Sequence, residues 1–114
     1  MSAPVTGPPQ TIGVAGAGTM GAGIAQLACL SGARTLLHDP VPDALERGLA
    51  MIRSHLGRGA QRERWSEQEA AAAGDLLLAA PALTDLHACE LVIEAAPERL
   101  ELKRDLFARL SERI

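Results

Sequence analysis

Aromatic side chains are nearly absent from this 114-residue sequence, which has one Trp, one Phe and no Tyr. Hydrophobic residues nevertheless make up 47% of it, so the core must be built from aliphatic side chains and alanine. That mixture is typical of helices that cover a β-sheet, and we expect alanine-rich helix faces. A chain of this length can bury roughly 65% of its unfolded surface, which is enough for one small domain.

Positive charge is also scarce, with 11 Lys and Arg against 14 Asp and Glu. Nucleic acid is bound through a basic surface, so we exclude it as a partner. No apolar run approaches the roughly 20 residues that span a bilayer, and the N-terminus lacks the features of a signal peptide. We therefore expect a cytoplasmic protein without membrane contact. The two cysteines, Cys29 and Cys89, lack the spacing of a zinc or redox site, and no metal is expected.

The first half of the chain alternates between strand and helix patterns. Residues 1–10 contain three prolines and no periodicity, which indicates a flexible tail. Strands are predicted over Thr11–Ala15 and Arg34–His38. A helix over Thr19–Leu30 is predicted between them, followed by Gly32, a residue suited to the C′ position.

Two further helices are predicted after the second strand. Apolar residues recur at helical spacing from Asp43 onward, and we expect this helix to end at Gly57 and Gly59. Ser66 and Glu69 form the pattern S-x-x-E of a capping box, which predicts the start of an alanine-rich helix.

The rest of the chain returns to strands. The alanine-rich helix is expected to run to about Leu78, with a third strand near residues 82–84 and a fourth at 91–95 (LVIEA). A last amphipathic helix is predicted from Glu98. This alternation with apolar strands predicts an α/β fold, a parallel sheet with helices on both faces.

Three glycines form the segment GAGTMG between the first predicted strand and helix. This is the G-x-G-x-x-G pattern, and it indicates a dinucleotide site when it follows a strand and opens a helix, as predicted here. Gly16 permits a tight turn, Gly18 lets a pyrophosphate approach the backbone, and Gly21 allows the helix to pack closely on the strand. The unpaired N–H groups and the dipole at the helix start favour phosphate. The pattern predicts a Rossmann-type, doubly wound sheet with strand order 3-2-1-4 and a dinucleotide site.

An acidic residue, Asp39, follows the glycines by about twenty residues at the end of the second strand. A carboxylate there accepts hydrogen bonds from the adenosine ribose, and it would repel a 2′-phosphate. Pro40 and Val41 follow instead of an arginine, so NAD is favoured over NADP. Two alternatives remain: the glycines serve only a turn while Asp39 caps the next segment, or the dinucleotide is FAD.

The strings IGVAGAGTMGAGIAQLACLSG, HDP and LVIEAAPERLELKRDLFARL resemble the L-3-hydroxyacyl-CoA dehydrogenase family, which includes the 3-hydroxybutyryl-CoA dehydrogenases. The resemblance extends from Thr11 to the end of the chain. It implies an NAD-binding Rossmann domain over residues 11–114, the N-terminal part only. The implied enzyme oxidises the 3-hydroxyl of a hydroxyacyl-CoA, as in fatty acid or butanoate metabolism.

The resemblance also assigns cofactor contacts. Asp39 holds the adenosine ribose, Glu98 lies near the nicotinamide end of NAD, and Lys103 contacts the cofactor. The pyrophosphate is held by the loop residues Gly16, Ala17, Gly18, Thr19, Met20 and Gly21.

A CoA contact is implied between the second strand and the third. Counted without gaps from Asp39, the family's polar and basic CoA contacts fall on His55 and Arg62, where His55 replaces the usual serine. Arg53, Arg58, Arg62 and Arg64 either meet CoA phosphates or form a solvated face.

No catalytic residue is assigned. His38, His55 and His87 lack motif partners that would make them general bases, so we interpret them as structural or surface residues. The family's catalytic groups and its C-terminal helical domain correspond to sequence beyond Ile114, so we expect this chain alone to be inactive.

Two other functions remain open from the sequence. The first is a stand-alone dinucleotide-binding module without catalysis. The second is the NAD-binding part of a gulonate-type hydroxy-acid dehydrogenase. If the usual fifth strand is missing, the strand at residues 91–95 would be an edge strand, and we expect its unpaired backbone groups to pair into a homo-oligomer or to cause aggregation.

Overall fold

The computed structural model describes residues 10–95, which form a four-stranded parallel sheet with three helices. The predicted helix from Glu98 and all but the last residue of the predicted tail lie outside this range. In chain order the elements are β1 (Thr11–Ala15), α1 (Thr19–Leu30), β2 (Arg34–His38), α2 (Pro42–Gln61), α3 (Glu67–Leu76), β3 (Leu77–Ala79), a 3-10 helix (Leu83–Ala88) and β4 (Leu91–Glu94).

The sheet has the order β3-β2-β1-β4 with every pair parallel, which confirms the predicted strand order. Val14 of β1 lies between Leu37 of β2 and Ile93 of β4. The connections from β1 to β2 and from β2 to β3 both move toward the same edge of the sheet. Because such crossovers are right-handed, α1, α2 and α3 lie on the same face of the sheet. The 3-10 helix lies on the other face of the sheet, where a Cβ on Gly13 would contact Leu86.

The first three elements have the predicted bounds. The end of α1 is a Schellman motif, in which Ala33 N–H donates to the Ala28 carbonyl and Gly32 N–H donates to the Cys29 carbonyl, both at 3.1 Å. Gly32 has a φ of 96°, in the left-handed region that favours glycine. The predicted role of Gly32 as C′ is therefore confirmed.

The predicted end of the second helix is wrong, because α2 continues through Gly57 and Gly59 to Gln61. The indole of Trp65 lies against Gly59 so closely that a Cβ there would overlap the ring. Its Nε1 donates a 2.9 Å hydrogen bond to the carbonyl of Leu56. Gly59 is therefore present for the packing of Trp65 and does not terminate the helix.

The capping box at the start of α3 is confirmed. Ser66 Oγ accepts from Glu69 N–H at 2.9 Å, and Ser66 N–H donates to Glu69 Oε1 at 3.1 Å. Beyond that point the prediction is wrong, because the helix ends at Leu76 and the third strand follows at once as Leu77–Ala79. Leucine and alanine favour helix, and a three-residue strand is too short to show a period of two.

The segment predicted as a strand near 82–84 instead begins the 3-10 helix Leu83–Ala88. Asp85 Oδ2 accepts a 2.9 Å hydrogen bond from Ala82 N–H, which supports this turn. Aspartate favours such local hydrogen bonds over a strand ladder.

Small side chains let the helices approach the sheet, as the low aromatic content requires. Val14, Leu37 and Ile52 are completely buried between these layers. Burial raises the pKa of the Cys29 thiol, so this cysteine behaves as a small apolar core residue. The buried face of α1 consists of Gly21, Ala22, Ala25, Ala28 and Cys29.

The end of α2 offers a test of this backbone geometry. It is a second Schellman motif, with Arg64 N–H donating to the Gly59 carbonyl, but its C′ residue is Glu63 at φ 58°. We expect Glu63→Gly to raise the free energy of unfolding by about 1 kcal/mol, because glycine adopts this conformation without a Cβ clash. Gly32→Ala should lower it by a similar amount. Urea unfolding measures both free energies, and a change of the same sign in the two variants would contradict the assignment.

Candidate functional site

The glycine loop joins β1 to α1 at the carboxyl end of the sheet. Gly16 has a φ of 113°, and its N–H donates a 2.7 Å hydrogen bond to the carbonyl of His38. A Cβ on Gly16 would lie 2.6 Å from the carbonyl oxygen of Ala95, and a Cβ on Gly21 would overlap the carbonyl oxygen of Gly16. The loop can therefore occupy the gap between the ends of β1 and β4 only with glycine at both positions.

The middle glycine faces open space. Among residues 10–95, no atom other than those of Gly18 and its two chain neighbours lies within 4 Å of the position that a Cβ on Gly18 would take, and Gly18, Thr19 and Met20 are exposed. Gly18 is the N-cap of α1, which has no side-chain cap and no acidic residue in its first turn. The first N–H groups of a helix have no partners within it, so they face this space together with the positive end of the helix dipole. The cradle therefore fits the pyrophosphate of a dinucleotide.

Asp39 fixes the other side of the loop. Its Oδ2 accepts a hydrogen bond from Ala17 N–H and its Oδ1 accepts one from Val41 N–H, each at 2.9 Å. A carboxylate has about four acceptor positions, so two remain for hydroxyl groups of a ligand. Because Asp39 is only partly buried, those positions remain accessible.

A cleft of about 360 Å³ opens where β1, β2 and β4 end. Its polar groups come from His38, Asp39 and Glu94, and Pro40 and Leu83 add apolar walls. The strand order reverses here, with β2 on one side of β1 and β4 on the other, and ligands of open α/β sheets bind at such a point. No motif marks Leu83 in the sequence, and Glu94 belongs to the string LVIEA that carries the family resemblance but was given no role.

A second pocket of about 220 Å³ lies between α1 and the end of α2. It brings together His55 and Arg62, the two residues that the family resemblance assigns to CoA. The described residues that line it include three guanidinium groups and no carboxylate. They are Gln26, His55, Arg58, Gly59, Arg62, Arg64 and Trp65.

Two contacts fix the walls of this pocket. His55 Nδ1 lies 3.2 Å from Gln26 Oε1 on α1, and the Trp65 indole is held by Leu56. Sequence reasoning missed the part played by Trp65, although its position beside a run of arginines was a usable signal.

Other predicted residues lie elsewhere. Glu98 and Lys103 are outside residues 10–95, and His87 lies in the 3-10 helix. Between residues 10 and 95, no group of three His, Cys, Asp or Glu side chains is placed to hold a metal ion. No helix in that range is long and apolar enough to cross a membrane.

A parallel sheet with a glycine cradle at a helix N-terminus and a carboxylate at the end of the next strand defines a dinucleotide-binding α/β domain. Residues 11–114 match the family described as 3-hydroxyacyl-CoA dehydrogenase, NAD binding domain. The chain belongs to this family, and its cofactor is NAD. The predicted fold class is confirmed as well.

Curated relatives are dehydrogenases of hydroxyacyl-CoA compounds. A 3-hydroxybutyryl-CoA dehydrogenase from Bradyrhizobium diazoefficiens is 41% identical over 99 residues, which are 87% of this chain and 34% of the relative. A 3-hydroxyadipyl-CoA dehydrogenase from Escherichia coli is 41% identical over 103 residues, or 90% and 22% of the two chains. The chain therefore spans about a third or less of these relatives.

Solved structures of 3-hydroxybutyryl-CoA dehydrogenases are similar to this chain in fold. A 3-hydroxybutyryl-CoA dehydrogenase from Escherichia coli K12 superposes with a TM-score of 0.76 at 40% identity, over 93% of this chain and 22% of that one. The (S)-3-hydroxybutyryl-CoA dehydrogenase from Ralstonia eutropha superposes with a TM-score of 0.75 at 33% identity, over 92% of this chain and 37% of that one. The similarity therefore covers nearly all of this chain.

Two glycines of α1 provide a matched test of the cradle. We expect Gly21→Ala to weaken NADH binding at least tenfold, because the new methyl group pushes the helix away from Gly16. Gly23→Ala, which meets nothing within 4 Å, should leave binding unchanged and stabilise the helix by up to about 1 kcal/mol. Nicotinamide fluorescence during an NADH titration measures binding. Equal binding by both variants would contradict the cradle.

Proposed function

We propose that this chain is the cofactor-binding part of an enzyme that moves a hydride between the C3 carbon of a 3-hydroxyacyl-CoA and nicotinamide. The observation that carries the proposal is the open cradle at Gly18, built into a chain of this family. NAD, when bound, supplies the hydride acceptor. Residues 16–21 hold its pyrophosphate and Asp39 the adenosine ribose. Glu98 and Lys103 keep their implied cofactor contacts as predictions.

The alternatives from the sequence are not favoured. The relatives are named as dehydrogenases of hydroxyacyl-CoA compounds, which speaks against a module without catalysis and against a gulonate-type enzyme. A cytoplasmic location, the absence of a nucleic-acid or membrane partner, and pairing of the edge at residues 91–95 stay predictions.

The pocket between α1 and α2 supports a contact with CoA. The whole chain has a net charge of −3, yet three arginines meet around this one pocket without a carboxylate among its described lining residues. Guanidinium groups bind phosphate through paired, charge-assisted hydrogen bonds. The Trp65 ring also lines this pocket, and stacking of a purine base on an aromatic ring contributes about 1–3 kcal/mol.

The position of the pocket also suits a CoA thioester. Gln26, which lines it, lies eight residues after Gly18 on α1, or roughly 12 Å at the rise of an α-helix. The long pantetheine arm of CoA is able to bridge that separation. We therefore propose that His55, Arg62 and their neighbours hold the nucleotide end of CoA while the acyl group extends toward the cofactor cleft.

Trp65 is the only tryptophan in the chain, so its fluorescence reports on this pocket directly. We expect CoA to change that fluorescence, and Arg62→Ala to weaken CoA binding about tenfold through the loss of a phosphate contact. Arg53→Ala is the control, because Arg53 is exposed on α2 and does not line the pocket, whereas Arg62, just after the end of α2, does. A loss of equal size in both variants would indicate only a general effect of charge.

The substrate class is tested with acetoacetyl-CoA and free acetoacetate added to the NADH-loaded chain. The proposal predicts saturable quenching or enhancement of Trp65 fluorescence by the thioester and none by the free acid. A response to the free acid alone would contradict a CoA substrate and favour a small hydroxy acid.

A further inference from the structure

His38 is the last residue of β2 and is almost completely buried, with 7% of its surface exposed. Its Nδ1 lies 2.8 Å from the carbonyl oxygen of Ala80, just after β3. A carbonyl oxygen only accepts, so Nδ1 carries the hydrogen of this bond. The ring is therefore held in one orientation, and in the neutral form its Nε2 is an acceptor.

The second ring nitrogen, Nε2, is accessible from the surface, and the ring lines the cofactor cleft. Within residues 10–95, every enclosed side-chain nitrogen or oxygen has a hydrogen-bond partner. The His38 ring forms its hydrogen bond through Nδ1, so its Nε2 is not enclosed. His38 is also part of the lining of the cleft that Asp39 borders. Nε2 thus presents an acceptor to the space beside the ribose-binding carboxylate.

The surrounding walls suit a flat, apolar ring. Leu83 lines the cleft with 58% of its surface exposed, and Pro40 lines it next to Asp39. A ribose held by Asp39 places its base next to the residues that flank this carboxylate. A purine there would have apolar side chains along its faces and a hydrogen-bond acceptor at its edge.

We propose that His38 is a specificity-determining residue for the base of the dinucleotide, whose Nε2 accepts a hydrogen bond from the C6 amino group of adenine. A purine with a carbonyl at C6, such as hypoxanthine, would instead place one acceptor against another. The inference rests on the NAD site and is independent of the hydroxyacyl-CoA reaction.

The test compares NADH with its hypoxanthine analogue, deamino-NADH, in binding to the 114-residue chain at mildly alkaline pH. The wild-type chain should prefer NADH about fivefold or more, the effect of one hydrogen bond. In His38→Asn, the amide nitrogen takes the position of Nδ1 and keeps the bond to Ala80, while the Nε2 acceptor is lost. The preference should then fall to nearly one while the thermal midpoint stays near the wild-type value.

Each outcome decides something different. Equal binding of the two dinucleotides by the wild-type chain overturns the role of His38 and leaves the NAD site intact. A preference that persists in His38→Asn also overturns it and points to another acceptor, such as Glu94, which lines the same cleft. Binding of neither dinucleotide overturns the cofactor site, and the inference with it.

Discussion

Two hydrogen bonds between the glycine loop and the end of β2 determine the shape of the site. Gly16 N–H donates to the carbonyl of His38, and Ala17 N–H donates to the carboxylate of Asp39. Glycine-rich backbone is costly to order, and each such bond contributes on the order of 1 kcal/mol or more toward that order. Because the loop is fixed by the protein itself, the N–H groups of α1 already face the cradle before a ligand binds, which lowers the cost of binding.

The same region depends on small residues in neighbouring elements. A Cβ on Gly48 of α2 would lie 2.8 Å from the carbonyl oxygen of Ala17, so α2 also rests directly on the loop. The scarcity of aromatic residues thus has a structural consequence, since layers this close leave no space for large rings. Among residues 10–95, Trp65 is the exception, and Gly59 makes room for it.

The sequence predicted most of the fold because each early element has its own local signal. The apolar run of β1, the glycines before α1, Gly32 after it and the capping box at Ser66 all act within a few residues. The predictions were wrong where contacts between residues distant in the sequence determine the secondary structure. Gly59 resembles a helix stop until Trp65 is seen to cover it, and the short β3 is a strand because it pairs with β2.

The site was only partly predictable for the same reason. The loop and Asp39 follow from spacing along the chain, and the two CoA positions came from family resemblance. Leu83 joins the cleft through the tertiary fold alone, and no local pattern marks it. Glu94 lies in the LVIEA string and Trp65 beside a run of arginines, but only the fold shows that they line the cleft and the second pocket. The role proposed for His38 also needed the structure, since its bond to Ala80 connects residues 42 positions apart.

The central claim is that the loop from Gly16 to Gly21 is a preformed pyrophosphate site, and amide NMR of the ¹⁵N-labelled chain tests it most directly. On addition of NADH, we predict the largest chemical-shift changes at the backbone N–H groups of residues 17–21 and 39–41, with little change along the far end of α2. Saturable binding whose shifts lie mainly outside the loop would contradict the account.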